Sequence, residues 1–253
     1  MYEPLHDIVR YIAEDEGLVM TSETFEGPPL TSITRHSSFH LFRKTRIISS
    51  LNKANKMRTL LCFGNPSYLK VPGDFFLHLK FLRALDLSLP LIQELPHSVG
   101  TLKQLRYLNL FYTRIKKLTP FVCNLYLLQT LKLSHSLLHE LPKEIWKLQK
   151  LRHLEIDGTP MSHLPFGIGI INKMWTLTEF IVGGECSTGE LGNLTLLHGK
   201  LIISNMERIV DKDDAGRANL KEKEGIGSLV LDGKKHLCSQ NSECKRCSNS
   251  LLL

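Results

Sequence analysis

The chain has 253 residues, 42% of them hydrophobic and 23% charged, which suits a packed core and argues against wholesale disorder. Its net charge of +7 is a modest excess without a long Lys/Arg run, so no phosphate-tracking tail is expected, and the densest early basic cluster, residues 40–46, reads as a solvated strip. No apolar run approaches the ~18 residues of a membrane helix, and the start Met1-Tyr2-Glu3-Pro4-Leu5 lacks the basic-then-apolar pattern of a signal peptide.

Those exclusions predict a cytoplasmic chain whose six cysteines are reduced. In chain order, the first predicted element is an amphipathic helix over residues 3–16. Leu5, Ile8, Val9, Ile12 and Ala13 fall at helical spacing, Asp7, Arg10 and Glu14 lie off that face, and Gly17 is its stop. Residues 21–34 are rich in Ser, Thr, Gly and Pro and read as linker, so residues 21–50 are assigned to linker and entry.

From residue 51 the pattern becomes a repeat. Met57 to Phe63 followed by Val71-Pro72 is a degenerate first copy. Then four copies follow at intervals of 23 residues. Leu82, Leu105, Leu128 and Leu151 form one column; Leu85, Leu108, Leu131 and Leu154 the next; Leu87, Leu110, Leu133 and Ile156 a third. Further apolar columns run from Leu79, Ile92, Leu95 and Val99, and a proline column reads Pro96, Thr119, Pro142, Pro165. Self-similarity at this period identifies a solenoid. Leu-x-x-Leu-x-Leu ends with period two, so each copy holds a short strand, and the Leu-Pro half returns along the other side without pairing.

After the regular core at residues 79–168, Met174 and Leu177 keep the register. Residues 201–204 and 229–231 read as two further strands, with residues 213–223 helical between them. The fold class is α/β, a curved parallel sheet with an irregular or helical convex side, spanning residues 51–233. Residues 234–253 fit no repeat and read as a disordered tail. Cys244-x-x-Cys247 with His236 falls short of a zinc ligand set, and the i, i+4 pairs His36/His40 and His135/His139 lack a third ligand, so no metal is expected.

Residues between the strand leucines must project from the concave face. They vary while the leucines do not. Tyr107, Phe111 and Tyr112 form the sharpest patch, since aromatics at exposed strand positions favour binding. Asn109, Lys132, His153 and Glu155 complete the candidate protein-binding set.

The segment Leu5-His6-Asp7-Ile8-Val9-Arg10-Tyr11-Ile12-Ala13 resembles the Met-His-Asp-Leu-Val-His-Asp-Leu-Ala segment of plant nucleotide-binding leucine-rich-repeat disease-resistance proteins of the coiled-coil type. Arg35-His36-Ser37 with residues 57–61, residues 191–194 with 201–207, and residues 218–221 with 228–231 continue the likeness in order. The resemblance implies that residues 1–20 are the end of a nucleotide-binding region and that the chain is a carboxy-terminal fragment carrying the repeats. It implies a role in plant innate immunity, with the repeats binding a pathogen effector or host guard target and restraining a nucleotide-binding domain.

The resemblance also places the family's ADP-contacting histidine at His6. Leu5 and Tyr11 depart from the motif, and the sequence holds no Gly-x-x-x-x-Gly-Lys-Ser/Thr loop, so His6 is read as vestigial and no ADP or other cofactor is expected to bind. Without phosphate-loop chemistry the chain is not expected to be an enzyme. A generic intracellular adaptor resembling Ras-pathway leucine-rich-repeat scaffolds is the alternative. Nucleic acid and a membrane span are not expected.

Overall fold

A computed structural model describes residues 17–20, 34–40, 53–63, 71–209 and 212–233. The helix predicted over residues 3–16, His6 and the segment from residue 234 onward lie outside these described residues.

The main sheet has eight parallel strands, each hydrogen-bonded to the next in chain order: β1 (Gly17–Met20), β2 (His36–His40), β3 (Thr59–Phe63), β4 (Ala84–Asp86), β5 (Tyr107–Asn109), β6 (Thr130–Lys132), β7 (His153–Glu155) and β8 (Thr176–Leu177). Leu85, Leu108, Leu131, Leu154 and Leu177 face one another in register. The apolar columns named from the sequence form one continuous buried core. Leucine at these positions serves two neighbours at once, because each side chain is covered by the copies above and below.

The sheet starts earlier than the composition indicates. Gly17, read as a helix stop, opens β1, and β2 lies within the segment assigned to linker and entry. The reason is visible in the pairing. Ser37 of β2 stands opposite Leu60, in the leucine column, and is itself fully buried. A serine in that column leaves no apolar periodicity to read.

Between β4 and β8 the convex side is made of short 3₁₀ turns rather than α-helices: His97–Thr101, Pro120–Asn124, Lys143–Lys147 and Ile168–Ile170. Twenty-three residues must cover a strand, two bends and the return, and a tight turn with ~2 Å rise per residue fits that span. The proline column supplies the turn's entry. Pro96 and Pro142 precede their turns, whereas after Thr119 the proline sits one residue later, as the first residue of its turn. A proline there loses no helical hydrogen bond, so the turn is kept despite the departure at Thr119.

The strong register ends at Thr178. Continuing the column of Leu87, Leu110, Leu133 and Ile156 by 23 residues lands on Glu179, a residue that cannot replace leucine in an apolar core. The strand changes phase instead, and Phe180, wholly buried, takes the inward place opposite Ile203. A second sheet follows, of three parallel strands in spatial order β11-β10-β9: β9 (Glu179–Ile181), β10 (Gly199–Ser204) and β11 (Ile226–Asp232). Thr178 joins the two sheets. In regular copies the ladder bond runs from Leu110 N–H to the Lys132 carbonyl and from Leu133 N–H to the Glu155 carbonyl. At the joint, the Thr178 hydroxyl accepts from the Ile156 and Asp157 N–H groups at 2.8 and 3.1 Å, while its carbonyl accepts from Ile202.

Two buried charged groups brace the second sheet, Glu190 against the copies of the first sheet and Lys223 within its own copies. The Glu190 carboxylate, on the helix Thr188–Gly192, accepts from the Gly167 and Gly169 N–H groups at 3.0 and 2.6 Å. Gly169 allows that approach, since a Cβ there would lie 2.5 Å from the Glu190 carbonyl. The Lys223 ammonium donates to the Gly192 and Leu194 carbonyls at 3.3 and 3.0 Å, capping the same helix from its carboxyl end.

Thr178→Val keeps shape and removes the acceptor for two backbone donors, so it should destabilise the protein by about 1–3 kcal/mol. Thr178→Ser should restore most of the loss. Urea denaturation of both variants checks this, and equal stability of the Val and Ser forms would remove Thr178 from the joint.

Candidate protein-binding face

The concave face is built from the residues alternating with the buried leucines of β4 to β8. Its amino-terminal part is closed by its own hydrogen bonds. Asn109 Nδ2 donates to Asp86 Oδ2 at 2.8 Å, and Asn109 Oδ1 accepts from the Phe111 N–H at 2.9 Å. Asp86 Oδ1 also accepts from the Ser88 N–H and hydroxyl at 2.9 and 2.6 Å. Asn109 is accordingly buried and acts within the sheet; the sequence had placed it among exposed contact residues.

Further along the face, Lys132 Nζ pairs with Glu155 Oε1 at 3.0 Å, both side chains about a third to a quarter exposed (33% and 26%). His153 Nδ1 lies 3.1 Å from the Thr176 hydroxyl, with the ring edge-on to Trp175. The same His–Thr rung recurs between His36 and Thr59 at 3.0 Å. Of the four histidines considered as metal ligands on spacing grounds, His36 meets Thr59 and His135 meets Phe111.

Among the aromatic residues, Phe111 and Tyr112 come together. Tyr107 starts β5, while Phe111 and Tyr112 follow its end. Phe111 is half-buried and stacks with Tyr112, their ring centroids 6.1 Å apart. The ring of His135 meets Phe111 edge-on at 5.5 Å. Sequence reasoning weighed His135 only as a metal ligand, yet the signal for its place here was present: it lies 23 residues beyond Tyr112.

The two positions also share a backbone conformation. Tyr112 and His135 both have φ of 59°, and Gly158, the next in the column, has φ of 70°. This left-handed turn swings the chain away from the strand while the Tyr112 and His135 N–H groups still bond the Ser134 and Asp157 carbonyls. It lifts the Tyr112 side chain to 61% exposure. A non-glycine residue there costs about 1–2 kcal/mol, so Tyr112 and His135 are held at a conformational cost that glycine would avoid.

Residues 56–215 match the family described as leucine-rich repeat region, and residues 188–251 match the one described as R13L1/DRL21 LRRs. The chain belongs to the leucine-rich repeat family. The second match extends past β11 into the residues read from sequence as a tail. A protein of Arabidopsis thaliana named for disease resistance is 35% identical over 91% of this chain and 17% of its own length. A second one, from Solanum bulbocastanum, is 41% identical over 30% of this chain and 8% of its own. These repeats are therefore of the kind carried by plant disease-resistance proteins, and the chain spans less than a fifth of those relatives.

Solved structures agree on the fold. The plant peptide hormone receptor RGFR1, solved in complex with RGF2, has a TM-score of 0.61 at 21% identity, covering 87% of this chain and 34% of that one. The repeat domain of the type III effector XopL has a TM-score of 0.53 at 21% identity, covering 78% and 72%. Leucine-rich repeats are protein-binding modules, and among the described residues no helix is long and apolar enough to cross a membrane.

The cysteines within the described array are packing residues. Cys62, Cys123 and Cys186 are free and buried. Burial raises all three thiols, Cys123 to about 11 and Cys186 to about 12, with the carboxylates of Asp86, Glu144 and Glu190 adding to the respective shifts. A thiol held above its ordinary range is a poor nucleophile at neutral pH. Brief alkylation of the native protein at neutral pH, read by peptide mass mapping, should leave these three unmodified until denaturant is added.

Proposed function

We propose that this chain serves plant innate immunity as the ligand-sensing repeat region of a cytoplasmic receptor. Its concave face binds a protein, either a pathogen effector or a host target, and that contact governs a nucleotide-binding switch carried elsewhere in the receptor. Its role is binding rather than catalysis. The observation that carries this reading is the 35% identity to a disease-resistance protein along 91% of the chain. The exposed aromatic group of Phe111, Tyr112 and His135 on a rigid sheet supports it, because aromatic anchors on pre-ordered surfaces lose little entropy on binding. Lys132, Glu155, His153 and Tyr107 extend the proposed contact surface along β5 to β7.

Tyr112→Gly removes the anchor while suiting the left-handed turn, so the fold should be kept. Combined with Phe111→Ala, it should strip specific partners from a co-precipitation out of infected leaf tissue, with the melting temperature within a few degrees of the parent protein. An unchanged partner list would sink the concave-face assignment.

On this reading no nucleotide site resides in the chain itself, and His6 is vestigial. Calorimetric titration with ADP or ATP should give no heat of binding. A micromolar complex would show that the head of the chain retains a working site.

A further inference from the structure

The chain's basic excess is concentrated on one edge. Each strand from β3 to β8 is entered through a short segment rising from the convex side: residues 53–58, 79–83, 102–106, 125–129, 148–152 and 171–175. These segments contain no aspartate or glutamate. They hold ten lysines and arginines: three in the first, two each in the second, third and fifth, and one in the last. That exceeds the +7 of the whole chain, so the rest of the molecule is net acidic.

Register turns part of this excess into a ladder. The Arg83 N–H bonds the Arg58 carbonyl at 2.7 Å, and the Arg106 N–H bonds the Arg83 carbonyl at 2.8 Å. Three exposed arginines therefore stand on successive strands, ~4.8 Å apart at the backbone. Lys80 and Lys103 form a second exposed row three residues earlier. None of these five side chains meets a carboxylate in a salt bridge among the described residues. Gln129 interrupts the ladder on the next strand, before Arg152. Within the amino-terminal patch Phe81 is 58% exposed, between Lys80 and Arg83 on its own segment.

We infer that Arg58, Arg83 and Arg106, with Lys80 and Lys103, form a docking surface for an acidic protein surface, one rich in Asp and Glu, anchored by Phe81. This goes beyond the concave-face reading and does not rest on it. Charge complementarity selects the class of partner. Two features favour a folded or helical acidic surface over a single-stranded nucleic acid. The exposed arginines are compact, spanning two strand spacings or about 10 Å between the half-buried Arg35, whose carbonyl accepts from the Arg58 N–H, and Gln129, whereas a polyanion is held by an extended track. The other aromatics on this edge are also partly occupied: Lys103 Nζ lies 5.4 Å from the Tyr126 ring centroid, and Arg152 lies 4.7 Å from that of Trp175. Bases would have to displace those cations to stack. Arginine forks on a fixed spacing suit paired carboxylates, which they can bind bidentately.

The test uses the full chain and a fluorescent acidic peptide of alternating Asp and Glu with leucine at every fourth position. An oligothymidylate of matching charge and vesicles containing phosphatidylserine serve as rivals. Anisotropy should show peptide binding at ~50 mM salt that weakens strongly at ~300 mM. The Arg83→Glu/Arg106→Glu pair should weaken it by at least about tenfold. Lys143→Glu, on the convex side, should change it by less than about twofold. Phe81→Ala should weaken it severalfold, with Phe81→Trp retaining it. Should the double reversal fail to fold, Arg83→Gln/Arg106→Gln removes the charge without adding acid and should give the same ordering. Tighter binding of the oligothymidylate, capture by vesicles in preference to peptide, or peptide binding indifferent to the arginine changes would each overturn the proposal.

Discussion

A single 23-residue copy cannot bury its own leucines, and that constraint shapes the rest of the molecule. Each copy offers a three-residue strand and one tight turn, too little to enclose a core. Stacking solves the problem by letting Leu108 be covered by Leu85 on one side and Leu131 on the other. The same stacking satisfies the backbone, because every strand donor has a neighbouring strand's carbonyl in reach. Packing and hydrogen bonding thus point in one direction, along the array, which is why parallel pairing persists from β1 to β8.

The constraint also explains where the array changes. Glu179 arrives where a leucine is due, and an unpaired carboxylate in an apolar core would cost more than a break in the sheet. The chain turns its phase so that Phe180 faces inward, and the Ser204 hydroxyl donates to the Glu179 carboxylate. Thr178 makes the change tolerable by substituting a side-chain oxygen for the lost backbone acceptor. Glu190 then ties the displaced second sheet back, and Lys223 braces it internally, each by bonding backbone groups directly. Charged residues act here as joints, each with its hydrogen bonds met inside the protein.

Function is distributed over what the core leaves free. Between buried leucines, each strand presents side chains that contribute nothing to stacking and can therefore vary. Some are used internally, as the Asp86–Asn109–Ser88 network shows, and those are unavailable to a partner. The aromatic group at the strand ends and the acid-free edge at the strand entries remain outward. They sit at opposite ends of the same short strands, so one rigid array carries two chemically distinct surfaces.

The repeat, its period, the strand class and the inward leucines of the regular core were legible in the sequence, because burial between identical neighbours demands the same residue type at the same interval. The likeness to disease-resistance proteins was legible too, in ordered short segments. Three matters were decided only by tertiary structure. Ser37 is buried in the leucine column and leaves β2 without an apolar signature. Asn109 looks like a contact residue in sequence, but Asp86 on the adjacent strand consumes its amide. Tyr107, Phe111 and Tyr112 read as one patch in sequence, yet it is His135, from the next copy, that register brings against Phe111. Sequence periodicity reports which residues must be buried. Which exposed polar groups satisfy one another, and which aromatics meet, depends on contacts between copies that register alone creates.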